Sequence, residues 1–402
     1  MLTSGGSGHA ASDDNGTLEP ERHRLSRRSV LVGTTAVLAG AQLIQPGRAF
    51  AKGATGGTAT ASGPHHLSPE QQAGQRVIWS YPGLTPPRTL LHAIRAGVVG
   101  GVIFFGENID RNDRSQIQAV THELAQAQRD SGVGYPLLLM TDQEGGIVQR
   151  LPGAPGISEK QIGESADPVA TARDAGTGAA QNLLDAGMNC NLAPVLDVYR
   201  KAGNFDDQFG RSYSMDPVIC GECGAASITA QQDLGVVTTA KHFPGLGAAT
   251  SAENTDLGPV TLDVPLRQLR RVDELPFRYA VRVDVDMVMT SWATYPALDP
   301  HLPAGLSPRI VQGELRHRLK FRGVTITDAI EAGALQDFGD TGERSVRAAS
   351  AGMDIVLCSA RDVQQGRDAV EALRQAVARR SLDRGEANHA LERVLALRRR
   401  LG

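Results

Sequence analysis

The feature that most constrains the fold is a regular alternation of short, wholly apolar runs with longer segments of helical periodicity. Strands that are apolar throughout are typical of parallel sheets covered on both faces, and repeated β–α units build such sheets. Eight units predict a single-domain α/β fold, the (β/α)8 TIM barrel. The predicted strands are 77–81, 101–105, 136–141, 188–193, 236–240, 286–291, 323–327 and 354–358.

Amphipathic segments between these runs predict the covering helices. An open, doubly wound sheet is the alternative arrangement of the same units, but the glycine fingerprint of dinucleotide-binding sheets is missing after the first strand. The barrel is therefore the favoured architecture. The predicted helices are 114–130, 168–185, 216–234, 265–281, 307–320 and 344–351.

The N-terminus predicts export. The sequence S-R-R-S-V-L at 26–31 matches the twin-arginine pattern, an apolar stretch covers 30–43, and A-F-A at 49–51 offers a cleavage site. The apolar stretch is too short and too interrupted by glycine to span a membrane well. We predict a cleavable signal peptide at 1–51, a flexible linker at 52–67, the barrel domain at 68–402, and an extracellular or cell-wall location.

Composition and charge exclude several partners. A net charge of -3 argues against nucleic acid, and the arginine-rich end at 393–400 is interpreted as a solvated helix face. We expect a monomer that does not contact the membrane after signal cleavage.

The four cysteines raise the question of disulfides in an exported chain. Cys220 and Cys223 form C-G-E-C, where a strained bridge is left open, whereas Cys190 and Cys358 lie in apolar runs and are expected to be buried thiols. No His or Cys cluster has ligand spacing, so we expect no metal and no other cofactor.

Polar residues follow most of the predicted strands, and in a barrel these strand ends meet on one face. A single strand-end carboxylate is ordinarily a helix cap or an ion-pair partner, but a whole set on one rim predicts a pocket. The glycines and proline after His242 bend the chain, so that 248–258 can fold back as a lid. The strand-end set is Asp142, Glu144, Asp197, Lys241, His242, Trp292 and Asp328, with Arg150 and Arg211 in the loops.

Four segments carry a specific resemblance. They are D-Q-E-G-G-I-V-Q-R at 142–150, F-G-R-S-Y-S at 209–214, K-H-F-P-G at 241–245 and V-T-I-T-D-A at 324–329. In this order they resemble the N-terminal barrel domain of family 3 glycoside hydrolases, over about residues 68 to 400. The chain is most similar to the single-domain β-N-acetylglucosaminidases, or β-N-acetylhexosaminidases, of that family.

The resemblance implies a role for each matched residue. Asp328 matches the catalytic nucleophile of a retaining mechanism, which forms a glycosyl-enzyme. The residues that match the sugar-holding set of the -1 subsite are Asp142, Arg150, Arg211, Lys241 and His242. The chemistry agrees, because carboxylates grip vicinal hydroxyls and basic side chains donate to sugar oxygens.

The lid departs from the family pattern. Family members usually present a second histidine directly after the K-H-F-P-G motif and then an Asp-Ser-His whose Asp-His pair is the acid/base, but here Leu246 and the triplet Ala252, Glu253, Asn254 occupy those places. The usual acid/base pair is therefore absent. Glu253 is the hypothesised substitute, with Asp256 next, against the alternative that both are solvated lid residues.

We therefore predict an exported retaining hydrolase that removes terminal β-linked N-acetylglucosamine from cell-wall fragments or chitin oligosaccharides. A catalytically impaired sugar-binding homologue is the first alternative. A Schiff-base aldolase that uses Lys241 is a third reading, from the fold and a strand-end lysine alone. Phosphate as the acceptor instead of water, and the exact sugar, stay open.

Overall fold

The computed structural model of the protein describes residues 66–401. Eight parallel strands close into a barrel, and each strand pairs with its neighbours along the chain, as predicted. Each observed strand falls within or close to its predicted range. The strands are β1 (Val77–Trp79), β2 (Gly101–Ile103), β3 (Leu138–Thr141), β4 (Cys190–Asn191), β5 (Val237–Phe243), β6 (Met287–Thr290), β7 (Val324–Ala329) and β8 (Ile355–Leu357).

Helices surround the barrel, and two short hairpins, Gln143–Gly145 with Val148–Gln149 and Thr294–Tyr295 with Asp299–Pro303, extend its strand ends. The α-helices are α1 (Pro69–Gly74), α2 (Arg88–Arg95), α3 (Arg114–Asp130), α4 (Glu159–Gly163), α5 (Pro168–Asp185), α6 (Phe205–Gln208), α7 (Pro217–Asp233), α8 (Leu266–Gln268), α9 (Leu275–Arg282), α10 (Thr341–Ala351), α11 (Val363–Ala378) and α12 (Arg384–Arg399). Segments Leu269–Asp273 and Arg309–Arg318 are π-helical, and Gly106–Asn108, Ala304–Leu306 and Gly333–Phe338 are 3₁₀-helical.

Side-chain caps explain why several helices start where they do. The carboxylate of Asp113 accepts from the N–H of Ser115 at the start of α3, and Asp216 does the same for Val218 at the start of α7. Each bond satisfies a backbone donor that the helix itself leaves without a partner.

Apolar side chains fill the barrel interior and the layer between barrel and helices. Ile78, Met140, Met289 and Ile326 belong to the inner cluster, and all are buried. Both faces of the sheet are thus covered, which explains why the strands are apolar throughout.

The prediction of a solvated face at 393–400 is wrong in part. Arg398 is fully buried, and its guanidinium donates to the carbonyl oxygens of Pro136 at 2.6 Å and Tyr135 at 3.1 Å. Arg393 donates to the buried Asp354 at 2.7 Å. Helical periodicity could not reveal this, because the acceptors come from distant parts of the chain.

The remaining predictions about the chain have mixed outcomes. All four cysteines are buried and free, so Cys220 and Cys223 are not bridged. The predicted signal peptide at 1–51 and most of the linker lie outside the described residues, but Leu67 packs in a core cluster with Tyr135. Among residues 66–401, no helix is long and apolar enough to cross a membrane.

Candidate active site

The carboxyl ends of the strands surround a cavity of about 400 Å³. Larger grooves of about 570 and 700 Å³ lie between outer helices, but they gather no residue that follows a strand. We therefore place the active site in the strand-end cavity. Every predicted sugar-holding residue and the predicted nucleophile line it, namely Asp142, Arg150, Arg211, Lys241, His242 and Asp328.

Lys241, near the end of β5, joins two carboxylates that follow β3. Its Nζ lies 2.7 Å from Asp142 Oδ1 and 2.7 Å from Glu144 Oε1. Burial would lower the pKa of Lys241, but the charges of Asp142 and Glu144 outweigh it and raise the pKa. A lysine held as a cation cannot act as the amine nucleophile of a Schiff-base aldolase, so this arrangement counts against that alternative.

Arg211 binds Glu144 through two parallel hydrogen bonds. Its Nε lies 2.8 Å from Oε2 and its Nη2 lies 2.9 Å from Oε1. Burial alone would raise the pKa of Glu144, whereas the charges of Arg211 and Lys241 reverse the effect and lower it. Glu144 is thus an ionised carboxylate that orients both cations toward the cavity.

Asp206 accepts a hydrogen bond from the third nitrogen of the same guanidinium. Arg211 Nη1 donates to its Oδ1 at 2.9 Å, while its buried Oδ2 has no hydrogen-bond partner. Burial raises the pKa of Asp206 to about 7, although the charge of Arg211 opposes the shift. Sequence reasoning missed Asp206, because the one-turn helix α6 that carries it is too short to show a periodic pattern.

His242 is oriented from behind by Asp197, which follows β4. Its Nδ1 lies 2.7 Å from Asp197 Oδ2, and the other oxygen of Asp197 accepts from the N–H of Leu246 at 2.6 Å. Burial would lower the pKa of His242, but the charge of Asp197 outweighs it and raises the pKa. Asp197 thereby fixes the ring so that its other nitrogen, Nε2, is left for a ligand.

The described residues contain one cluster in which a metal could be considered. Ligand atoms of Asp197, Asp206 and His242 lie within 4.8 Å of one another. However, the guanidinium of Arg211 already lies 2.9 Å from Asp206. A fixed positive charge at that distance disfavours a second cation, so the residues fit a metal poorly.

Asp328 lies at the end of β7, and its surroundings hold it against the backbone. The N–H of Ala329 donates to its Oδ1 at 2.7 Å, and the indole Nε1 of the buried Trp292 donates to the carbonyl oxygen of Ala329 at 2.8 Å. Trp292 therefore positions the strand end that carries Asp328. Arg150 lies beside Asp142, with its Nη2 3.9 Å from Asp142 Oδ2.

The lid, residues 248–258, separates the two acid/base candidates. Asp256 lines the cavity, whereas Glu253 does not, and the Glu253 carboxylate accepts from the N–H of Thr250 at 2.7 Å within the lid. Part of the Asp256 side chain is exposed to solvent. The pKa of its carboxyl group is nevertheless raised, chiefly because neighbouring atoms bury the group and secondly because of the charge of Asp328. The lid thus brings Asp256, rather than Glu253, to the pocket.

Comparison with known proteins agrees with this arrangement. Residues 72–397 match the glycosyl hydrolase family 3 N terminal domain. The chain belongs to glycosyl hydrolase family 3. It is accordingly a glycoside hydrolase that acts on O-glycosyl bonds.

Individual family 3 proteins are similar over most of this chain. An uncharacterized secreted glycosyl hydrolase of Arthroderma benhamiae is 47% identical over 332 residues, which are 82% of this chain and 93% of that protein. A β-N-acetylhexosaminidase structure from Beutenbergia cavernae has a TM-score of 0.75 and 33% identity, covering 83% of this chain and 98% of that chain.

A second solved structure is longer than this chain. The family 3 β-N-acetylglucosaminidase from Paenibacillus sp. has a TM-score of 0.78 and 32% identity, covering 83% of this chain. This chain spans 63% of the length of that protein.

Proposed function

We propose that this family 3 hydrolase is an exported, retaining enzyme that removes terminal β-linked N-acetylglucosamine from cell-wall fragments or chitin oligosaccharides. The observation that carries the proposal is that Asp328 and the sugar-holding residues line one cavity at the strand ends. The similar solved structures, a β-N-acetylglucosaminidase and a β-N-acetylhexosaminidase, supply the sugar class.

Asp328 is the proposed nucleophile. Its carboxylate attacks the anomeric carbon, the bond from that carbon to the glycosidic oxygen breaks, and a glycosyl-enzyme forms. Water then attacks the same carbon and releases the sugar and the Asp328 carboxylate. The N–H of Ala329, 2.7 Å from Oδ1, holds the carboxylate in a fixed orientation and leaves Oδ2 as the attacking oxygen in this proposal.

Asp256 is the proposed proton donor, in preference to Glu253. It lines the same cavity as Asp328, and its pKa is raised by burial and by the Asp328 charge. Glycoside hydrolysis commonly uses a pair of carboxyl groups, of which the one with the raised pKa acts as the acid. It protonates the departing oxygen and, as a carboxylate, takes a proton from the attacking water.

The sugar in the -1 subsite is held by the buried ion network. Asp142 accepts from vicinal hydroxyls, while Lys241, Arg211, Arg150 and His242 donate to sugar oxygens. Because Glu144 and Asp197 fix these donors before the substrate arrives, little side-chain entropy is lost on binding.

Export, monomeric state and the absence of a nucleic-acid partner belong to the same proposal. The similar Arthroderma protein is described as secreted, which supports export. The net charge of -3 supports the absence of a polyanionic partner.

The deciding experiment uses 2,4-dinitrophenyl β-N-acetylglucosaminide. We expect a burst of dinitrophenol and a covalent adduct on Asp328, both lost in Asp328→Asn. The competing function is a sugar-binding protein with little turnover, which the substitution of the family's acid/base residues by Ala252 and Asn254 favours. Saturable binding of the glycoside without release of dinitrophenol would establish the binder and overturn the enzyme.

A further inference from the structure

Two of the large apolar side chains within residues 66–401 stand out by their exposure. Leu257 is 81% exposed and Ile147 is 68% exposed, more than any other large hydrophobic residue in this range. Leu257 directly follows Asp256, and Ile147 directly precedes Val148, and both of these neighbours line the active-site cavity. The two most exposed large apolar side chains therefore belong to residues directly next to the cavity lining.

Phe209 adds to this surface, with 40% of it exposed. Its ring packs edge-on against that of Phe205, which lines the cavity, with 5.6 Å between the centroids. Gly146 and Gly210, the chain neighbours of Ile147 and Phe209, both pack against Ser158.

The lid joins the same rim. The N–H of Phe205 donates to the carbonyl oxygen of Ala249 at 2.9 Å, which ties the segment that carries Phe209 to the lid that carries Leu257. We call Ile147, Phe209 and Leu257 the apolar rim. Its three residues lie on separate segments of the chain, and each is next to, or packs against, a residue that lines the cavity.

The position of the apolar rim limits what can cover it. A sugar in the -1 subsite has its anomeric carbon toward Asp328, so the aglycone must leave through the cavity mouth. Ile and Leu side chains offer no hydrogen bond to hydroxyl groups, whereas an alkyl or aryl aglycone would remove apolar surface of both partners from water.

We propose that the apolar rim is an aglycone site that favours β-N-acetylglucosaminides with an alkyl or aryl aglycone. This deepens the proposed function and rests on it. The rim residues then determine specificity for the leaving group, while the sugar-holding residues and the acid/base chemistry are unaffected by them.

A series of alkyl β-N-acetylglucosaminides tests the proposal, because methyl, butyl, hexyl and octyl alcohols are similar leaving groups that differ in apolar length. With the full chain we expect kcat/KM to rise roughly two- to fourfold per CH₂ over the first methylenes, the range for partly to fully buried groups. Ile147→Ser and Leu257→Ser should each lower the octyl-to-methyl ratio at least fivefold. Leu234→Ser, an exposed residue just ahead of β5 at the other end of the barrel, should keep the wild-type ratio.

Two results would overturn the aglycone site. One is a wild-type ratio of octyl to methyl near one. The other is an equal loss on the alkyl glycosides and on diacetylchitobiose in both rim variants, which would indicate a general disturbance of the mouth.

A binding measurement distinguishes failure of the aglycone site from failure of the proposed hydrolase function. If the wild type hydrolyses no N-acetylglucosaminide, calorimetric binding of the methyl and octyl S-glycosides still measures the preference, because it needs no turnover. Tighter binding of the octyl compound that Leu257→Ser abolishes supports the aglycone site, and equal affinities overturn it.

Discussion

The N–H of Gly333 donates a 2.9 Å hydrogen bond to the carbonyl oxygen of Asp256. Gly333 lies shortly after Asp328, and the next residue, Ala334, donates to the carbonyl oxygen of Thr255 at 2.9 Å. The lid is therefore attached to the segment that follows the proposed nucleophile. This attachment is what brings a carboxyl group of the lid to the cavity.

Asp256→Asn should suppress the hydrolysis of substrates with poor leaving groups. General acid catalysis contributes about 10² to 10⁴-fold, so we expect a loss of that size on alkyl N-acetylglucosaminides and a much smaller loss of glycosylation rate on the 2,4-dinitrophenyl glycoside. Glu253→Gln is the matched control and should behave like the wild type. The opposite ranking of the two variants would return the role to Glu253.

The pH dependence of kcat/KM should report the same acid. The raised pKa of Asp256 keeps it protonated to higher pH than an ordinary aspartate, and activity on alkyl glycosides should fall as the pH rises through that pKa. With the dinitrophenyl glycoside, which needs no proton, this alkaline limb should be absent. An alkaline limb that is identical for both substrates would contradict the assignment.

Gly333→Ala should disturb the lid without unfolding the barrel. An added Cβ at residue 333 would lie 2.6 Å from the backbone carbonyl carbon of Leu257 and 2.9 Å from the carbonyl oxygen of Asp256, so the lid must shift. We expect kcat on alkyl glycosides to fall about 10- to 100-fold, as for a displaced catalytic group. Gly258→Ala meets no atom within 4 Å and is the matched control; an equal loss there would point to general lid sensitivity.

The fold, and the gathering of the strand-end residues around one cavity, could be predicted because both rest on local patterns. Apolar runs mark buried strands, and barrel topology brings whatever follows them to one face, so Asp142, Lys241 and Asp328 could be assigned to one pocket from the sequence. The family motifs then identified the chemistry.

Which lid carboxyl group reaches the cavity could not be predicted in the same way. The lid's path is set by backbone bonds to residues far away in sequence, such as Ala249 to Phe205 and Asp256 to Gly333. No periodicity encodes such contacts, and counting positions along the loop pointed to Glu253. Asp206 was missed because its one-turn helix shows no periodic pattern, and the burial of Arg398 depends on carbonyl groups 262 residues or more earlier in the chain.

Lys241→Met should cost both stability and sugar binding. Removing the cation leaves Asp142 and the buried Glu144 without one of their partners, and breaking a buried pair costs about 3–5 kcal/mol in the free energy of unfolding. Denaturant unfolding measures this loss. Arg374→Met, which breaks the exposed pair with Glu371, should cost far less, because solvent screens that pair. A loss at Lys241 as small as that at Arg374 would show that the network is not needed for folding.

Asp206→Asn should change how stability depends on pH. In the unfolded chain the Asp206 carboxyl ionises near its ordinary pKa of 3.8, whereas burial raises the folded-state pKa to about 7. Between these values the folded state holds a proton that the unfolded state has released, so this group's contribution to stability is fully present below 3.8 and is lost as the pH rises through 7. The melting temperature of Asp206→Asn relative to the wild type should therefore increase from pH 4 to pH 7 and level off above it.

The pH-dependent part of this stability difference corresponds to no more than about 4 kcal/mol. Any pH-independent change in the hydrogen bond with Arg211 adds a constant offset, and calorimetry at several pH values separates it from the slope. A difference that stays flat across this range would mean that Asp206 is ionised in the folded protein and that its unpaired Oδ2 has a partner.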